Sequence, residues 1–308
     1  MYFKRKIIVL FAIFFLNAPA SVAYAAEATG EISLVSSTEE LIDQNPGRRA
    51  STVRVMTYNE GSFVGSGYET GTENLKQAYR SAVNEVGADI VMIQDDIEFF
   101  NVLSQQLPKD AIYDSYDYYV ESKINNYEYH YLRMAANIEI TNILKIPYQT
   151  EGCAHKDFLV GHIVIHNREI LLVNVHLDWQ DIARRHKQIQ EIIEYCKGHE
   201  YAIIGGDMNP GTRVNGEYPE GFSSSFNYYN GLQDYSIWEN AGFKVGNGRS
   251  FGFYPTLAGT EYTTFDNGQM AAYDNIIVSS NIEISKVGRV KKPYMNDHYI
   301  FFADLIIS

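Results

Sequence analysis

The stretch EILLVNVHLD, Glu169 to Asp178, decides how this chain folds. Its apolar run has the length of a buried strand, and it ends in an imidazole and a carboxylate, His176 and Asp178. FLVGHIVIH (Phe158–His166) lies just upstream, across a turn-like Asn167-Arg168, so the two segments read as a hairpin. Downstream, Asp181 is placed to cap a helix running through Cys196, with Ile182, Ile189, Ile192, Ile193 and Cys196 on one face. YAIIGGDMN (Tyr201–Asn209) follows as another apolar strand with a polar end, Asp207 and Asn209.

The same grammar recurs on either side. VRVMTY (Val53–Tyr58) reads as a buried strand and runs into Asn59. Leu75, Ala78, Tyr79, Ala82, Val83 and Val86 recur at helical spacing, and Gly87 stands where a helix stops. ADIVMIQ (Ala88–Gln94) is again a strand, ending in Asp95 and Asp96. Strand, helix, strand in this order predicts a parallel pair with a crossover. A helix is expected near Gly231–Asn240, before Gly242. The end reads as YDNIIVS (Tyr273–Ser279), a polar hairpin region, and YIFFADLII (Tyr299–Ile307). Tyr113 to Tyr131, rich in tyrosine, is either a recognition surface or, as is commoner for such a run, edge strand and loop. There is no repeat and no interdomain linker.

Composition sets the outer bounds. The 308 residues are 45% hydrophobic and 20% charged, as in a folded globular protein able to bury a large core without staples. Lys4, Arg5 and Lys6, the apolar IIVLFAIFFL (Ile7–Leu16) and Ala23-Tyr24-Ala25 together read as a secretory signal peptide over residues 1–25, with an uncleaved anchor as the alternative. The apolar run falls short of the ~20 residues that a span needs. No other stretch could cross a bilayer, so the mature chain is expected to be secreted or periplasmic. Its 22 basic residues would face 38 acidic ones, a net charge of −16, which argues against coating nucleic acid by bulk charge. Residues 26–52 form a polar leader and 53–308 the folded domain. Cys153 and Cys196 either pair, as exported cysteines do, or Cys196 packs as a small apolar residue.

The polar residues of interest lie at the ends of apolar strands: Asn59, Asp95, His176, Asp178, Asp207, Asn209, Asp274, Asp297 and His298. In layered α/β folds such ends are where ligands bind. TYN (Thr57–Asn59), IQD (Ile93–Asp95), VHLD (Val175–Asp178), GDMN (Gly206–Asn209), YDNIIVS and NDHYIFFADL (Asn296–Leu305) resemble, in order, the motifs of the endonuclease/exonuclease/phosphatase superfamily. That superfamily includes deoxyribonuclease I, apurinic endonucleases, bacterial sphingomyelinases and inositol-polyphosphate phosphatases. The resemblance spans Val53 to Leu305. It implies a four-layer α/β sandwich, two packed mixed β-sheets flanked by helices, and Mg²⁺-dependent hydrolysis of a phosphoester.

Carried over residue by residue, the resemblance makes Asn59 and Asp95 holders of the metal, with Asp297 as a further ligand of the ion or its water. His176 would contact the scissile phosphate and protonate the leaving oxygen. Asp207 would orient or activate the attacking water, Asn209 would bind a phosphate oxygen, and His298 would act as base with Asp274 holding its ring. The superfamily usually has Glu where this chain has Asp95. The shorter side chain shifts the metal or inserts a water, and opens the site to Mn²⁺ or Ca²⁺. Asp178 either joins the site or caps the following helix. Two basic clusters, Arg184–Arg185–Lys187 and Arg289–Lys291–Lys292, either attract a polyanion or are ordinary solvated faces, with Arg185, Lys291 and Lys292 the substrate-binding candidates.

The reading is thus a monomeric, secreted metal-dependent phosphodiesterase of deoxyribonuclease I type acting on nucleic acid. The alternatives are a sphingomyelinase C-type or phosphoinositide phosphatase activity on a phospholipid substrate, and a domain that has lost its metal and binds a partner.

Overall fold

In a computed structural model of the chain, the residues described are 52–59, 85–96, 118–123, 131–153, 155–209, 234–248, 250–251, 273–290 and 298–308. Twelve strands among them make two six-stranded mixed sheets. The first has the order β11-β12-β1-β2-β4-β3, built from β1 (Val53–Asn59), β2 (Ile90–Asp96), β3 (Tyr118–Lys123), β4 (Tyr131–Ala136), β11 (Ile282–Val290) and β12 (Ile300–Ile307). The second has the order β5-β6-β7-β8-β10-β9, built from β5 (Thr141–Pro147), β6 (Asp157–Ile165), β7 (Arg168–His176), β8 (Ala202–Asp207), β9 (Lys244–Val245) and β10 (Asp274–Val278). β1 and β2 run parallel, as the strand–helix–strand reading requires, and so do β7 and β8.

Strand alternation explains the core. Val53, Val55, Ile90, Met92, Ile170, Leu172, Ile203 and Ile276 are every second residue of their strands, and all are buried in one cluster between the sheets. β1 faces β8 and β10, while β2 faces β7 and β8. Gly205 belongs to this inner row for a steric reason. A Cβ there would lie 2.5 Å from Met92 Sδ of the other sheet. On its other face the first sheet is tied by Arg54. Its guanidinium donates to Asp304 Oδ1 at 2.6 Å and Oδ2 at 2.8 Å, and to Val86 O at 2.9 Å.

The helix α1 (Ile182–Cys196) covers the second sheet, with Tyr195 edge-on to Phe158 of β6 at 5.5 Å between ring centroids. Asp181 caps it as expected, accepting from Arg184 N at 2.9 Å. Its buried stripe differs from the expected one: Arg185 and Gln188 are buried with Ile189, Ile192 and Cys196, while Ile182 and Ile193 are half-buried. The hairpin forms, but its turn is His166-Asn167, one residue earlier than read. Both residues have positive φ, 51° and 61°, the conformation of a two-residue turn that matches strand twist. The expected polar hairpin region before β12 is the strand β11, nine residues long, whose alternation is broken by a register shift between Ile284 and Lys286. The tyrosine-rich segment supplies β3 at a sheet edge.

Cys153 and Cys196 are both buried and no disulfide joins them, which decides for the packing alternative. Burial pushes each thiol up to about 12. The expected signal peptide, the expected leader up to residue 51 and most of the expected helix over Leu75–Val86 lie outside the described residues. No described helix is long and apolar enough to cross a membrane.

Candidate active site

The inner rows of the strands become polar toward one end, and the site is that end. Along β7 the row runs Ile170, Leu172, Asn174, His176; along β8 it runs Ile203, Gly205, Asp207. β10 is antiparallel to β8, so its first residue, Asp274, arrives at the same end. Register sets His176, Asp207 and Asp274 side by side on three adjacent strands. β1 brings Asn59 there from the opposite sheet, and His298 enters just before β12, which pairs antiparallel with β1.

Asp207 Oδ2 is where these groups meet. Asn59 Nδ2 donates to it at 2.8 Å, His176 Nε2 lies 3.4 Å away and His298 Nε2 3.8 Å away. Burial raises the pKa of Asp207 above the ordinary aspartate value. The two imidazoles and the Asn59 bond partly offset that, and Asp274 adds to it. His298 is held from behind, its Nδ1 2.8 Å from Asp274 Oδ2, an arrangement that fixes the ring and leaves Nε2 facing Asp207. Asn209, at φ 42°, donates its backbone N–H to Asp207 Oδ1 at 2.8 Å and its side-chain amide to Leu177 O at 3.1 Å. It therefore braces Asp207, and its amide is already given to the backbone.

Asp95 reaches the same place by an irregularity. It follows Gln94, which is in the inner row paired with Asn59, so a regular strand would turn Asp95 outward. Instead β2 shifts register after Ile93 and Asp95 takes φ 51°, a conformation that Asp tolerates better than most residues. Its Oδ1 then lies 3.0 Å from His176 Nδ1. Burial pulls the His176 pKa down, but Asp95 and then Asp207 outweigh it and leave the imidazole more basic than usual. His155, in the loop before β6, stacks on His176 with centroids 3.6 Å apart and planes 21° apart. One donor atom from each of Asp95, His155 and His176 falls within 4.8 Å of the others, a donor set that fits a divalent cation.

Below this layer a polar belt joins the sheets. Thr57 donates to Gln94 Oε1 at 3.2 Å, and Gln94 Nε2 to Asn174 Oδ1 at 2.7 Å. Asn174 Nδ2 donates across to the carbonyls of Ile93 and Arg133, both at 2.8 Å.

No family model and no curated protein matches this sequence. Solved structures do match its fold. TDP2 from C. elegans is 14% identical, over 96% of this chain and 82% of that one, with a TM-score of 0.58. An endonuclease/exonuclease/phosphatase from Beutenbergia cavernae is 12% identical over 84% and 72%, with a TM-score of 0.62. A family protein of the same description from Bacteroides thetaiotaomicron is 16% identical over 83% and 98%, with a TM-score of 0.60. The chain has the endonuclease/exonuclease/phosphatase fold.

Within that fold, the described residues bring together Asn59, Asp95, His176, Asp207, Asn209, Asp274 and His298. Two substrate-binding expectations need correction. Arg185 is 0% exposed, and its Nε donates to Asp234 Oδ2 at 2.6 Å and its Nη1 to Asp178 O at 3.1 Å. It fastens α1 to the helical residues 234–240 and offers no surface to a substrate. Asp178 is equally buried. Its Oδ1 accepts from the N–H groups of Gln180 and Asp181 at 2.9 and 2.7 Å, so it shapes the turn that enters α1, whose cap is Asp181. Arg289 is also buried, its guanidinium 5.6 Å from the Tyr299 ring centroid, and so does not stand in a solvated basic patch. Lys291, Lys292 and Asp297 lie outside the described residues.

Sequence reasoning missed Gln94, Asn174 and His155. The first two carried a signal, since each interrupts the inner row of an otherwise apolar strand. His155 carried none. It sits in a loop, where no periodicity says which way a side chain turns.

Proposed function

We propose that this chain is an exported, divalent-metal-dependent phosphodiesterase that cleaves nucleic acid without sequence preference. The observation that carries the reading is the convergence of Asn59, His176 and His298 on Asp207 Oδ2, with Asp95 against the far side of His176. The motifs YDNIIVS and NDHYIFF, which resemble those of the nuclease branch, support nucleic acid as the substrate, and the N-terminal pattern Lys4–Ala25 supports export.

The residues divide the work as follows. Asp207, which burial makes a stronger base than an ordinary aspartate, is suited to accept a proton from water, and Asn59 and the backbone of Asn209 hold its carboxylate in place. The oxygen of that water bonds to phosphorus as the bond to the leaving oxygen breaks. His298, steadied by Asp274, faces the same carboxylate and shares the proton. His176, made basic by two carboxylates, returns a proton to the leaving oxygen. A divalent ion held at Asp95 would neutralise charge developing on the phosphoryl oxygens.

The test is nicking of supercoiled plasmid, run beside sphingomyelin and phosphoinositide hydrolysis, with added divalent metal and with chelator. Metal-dependent nicking that disappears in His176→Ala supports the reading. Lipid hydrolysis without nicking replaces it with the phospholipid alternative, and no turnover of any substrate with any metal replaces it with a binding role.

A further inference from the structure

We propose that Asp95, His155 and His176 form a site for a borderline transition-metal ion, Zn²⁺ in the first place, with His155 as a metal ligand. The inference deepens the metal requirement of the proposed hydrolase and rests on that reading only for its catalytic consequence.

The chemistry of the donors comes first. Mg²⁺ favours oxygen donors alone and keeps several waters, whereas imidazole suits Zn²⁺ and its neighbours. Here the three converging donors are one carboxylate and two imidazoles, all buried. Two histidines, one carboxylate and an open fourth position make a catalytic zinc set. The donors lie within 4.8 Å of one another and the two rings are stacked, so binding a shared ion would turn the His155 ring out of the stack until its in-plane lone pair meets that of His176, and would close the donors by roughly an ångström.

The surroundings are built to hold these ligands. His155 is fixed by its backbone, because Gln188 Nε2 donates to its carbonyl at 3.0 Å. The same Gln188 accepts from Asp178 N at 2.7 Å, two residues beyond His176. One fully buried amide on α1 thus locks the loop carrying His155 to the end of the strand carrying His176. His176 meets Asp95 through Nδ1 and Asp207 through Nε2. A carboxylate on the far nitrogen is the usual partner of a metal-bound histidine, since it fixes the tautomer and strengthens the donor. The site would then share Asp207 with the hydrolytic machinery, and with His176 on the ion the proton for the leaving oxygen comes from His298, which faces Asp207 and shares the proton taken from water.

The experiment uses the full chain after stripping with chelator. Titration calorimetry with Zn²⁺ and, separately, Mg²⁺ measures affinity and stoichiometry. X-ray absorption at the zinc edge of the loaded protein counts imidazole ligands. We expect one Zn²⁺ per chain bound at least ~100-fold more tightly than Mg²⁺, two imidazoles in the absorption spectrum, and a loss of at least ~10-fold in Zn²⁺ affinity in His155→Ala. An all-oxygen or single-imidazole spectrum overturns the proposal, as does equal affinity for the two ions or wild-type Zn²⁺ binding by a folded His155→Ala. Should that variant not fold, the wild-type spectrum decides alone. Turnover supported by Mg²⁺ with an all-oxygen spectrum sinks this inference and leaves the hydrolase standing. Two imidazoles with no phosphoester turnover does the reverse.

Discussion

The two sheets follow one pattern of strand directions and deliver their site residues differently. Along each, the neighbours run antiparallel, antiparallel, parallel, antiparallel, antiparallel. The parallel pair is β1/β2 in the first and β7/β8 in the second. In the second sheet regular pairing suffices: His176 is opposite Asp207, and both belong to the inner row. In the first, the residue opposite Asn59 is Gln94, and the carboxylate comes one residue later. Only a register shift and a positive φ turn Asp95 toward His176. Asp207 and His176 thus stand on regular strands, while Asp95 stands on an irregular strand end. Strand periodicity alone therefore misdirects at Asp95, where the backbone departs from it.

The largest effect should come from the regular side. Asp207→Asn keeps the shape and removes the proton acceptor, and should lower phosphodiester turnover about 10²–10⁴-fold with little change in the thermal midpoint. Asp95→Asn should act instead mainly on metal affinity. If both variants failed in the same way, by lost metal binding, the proposed division between the two sheets would be wrong.

Each sheet also has a buried Arg–Asp pair on its outer side, Arg54–Asp304 in the first and Arg185–Asp234 under α1. Removing Arg54 takes both guanidinium contacts from the buried Asp304 carboxylate and should cost about 3–5 kcal/mol in urea unfolding, whereas Arg185→Ala leaves Asp234 with His186 and should cost less. Had Arg185 been a substrate contact, Arg185→Ala would leave stability unchanged and raise KM.

The flank of the second sheet holds both cysteines, which report on how tightly it is closed. Each thiol is pushed up to about 12 by burial before anything else. The thiolate fraction rises with pH, so at pH 8 it should be roughly a thousandfold smaller than for an ordinary thiol. Labelling of native protein should accordingly be slow at pH 8 and quicken only on unfolding or at much higher pH. Fast labelling of one cysteine in native buffer would mean that this flank opens locally.

Smaller effects test the seam between the sheets. Asn174→Ala strips Gln94 and two backbone carbonyls of their partner and should cost about 1–3 kcal/mol for each group that finds no other. Smallest of all, Asp181→Ala removes one cap of α1, at about 1 kcal/mol in the same unfolding measurement.

Much of this was legible in the residues themselves. Continuous apolar runs of strand length placed β1, β2, β6, β7, β8, β10 and β12, and their polar ends marked Asn59, Asp95, His176, Asp207 and Asp274 as candidates. The cap at Asp181 was equally local. Other features were misread for one reason. Arg184 and Arg185 look alike in sequence, yet Arg184 donates to Gly152 O in an exposed contact while Arg185 is buried against Asp234. Nothing within a few residues of either distinguishes them.

By itself, the sequence determined the periodic elements and the side-chain chemistry at their ends, because both depend on the order of neighbouring residues. The tertiary structure alone decided that His155 lies on His176, that Asn174 bonds to carbonyls 41 and 81 residues away, and that the two cysteines stay apart. Those facts depend on which distant surfaces pack together, and hydrophobic periodicity says which face of a strand is buried but not what it is buried against.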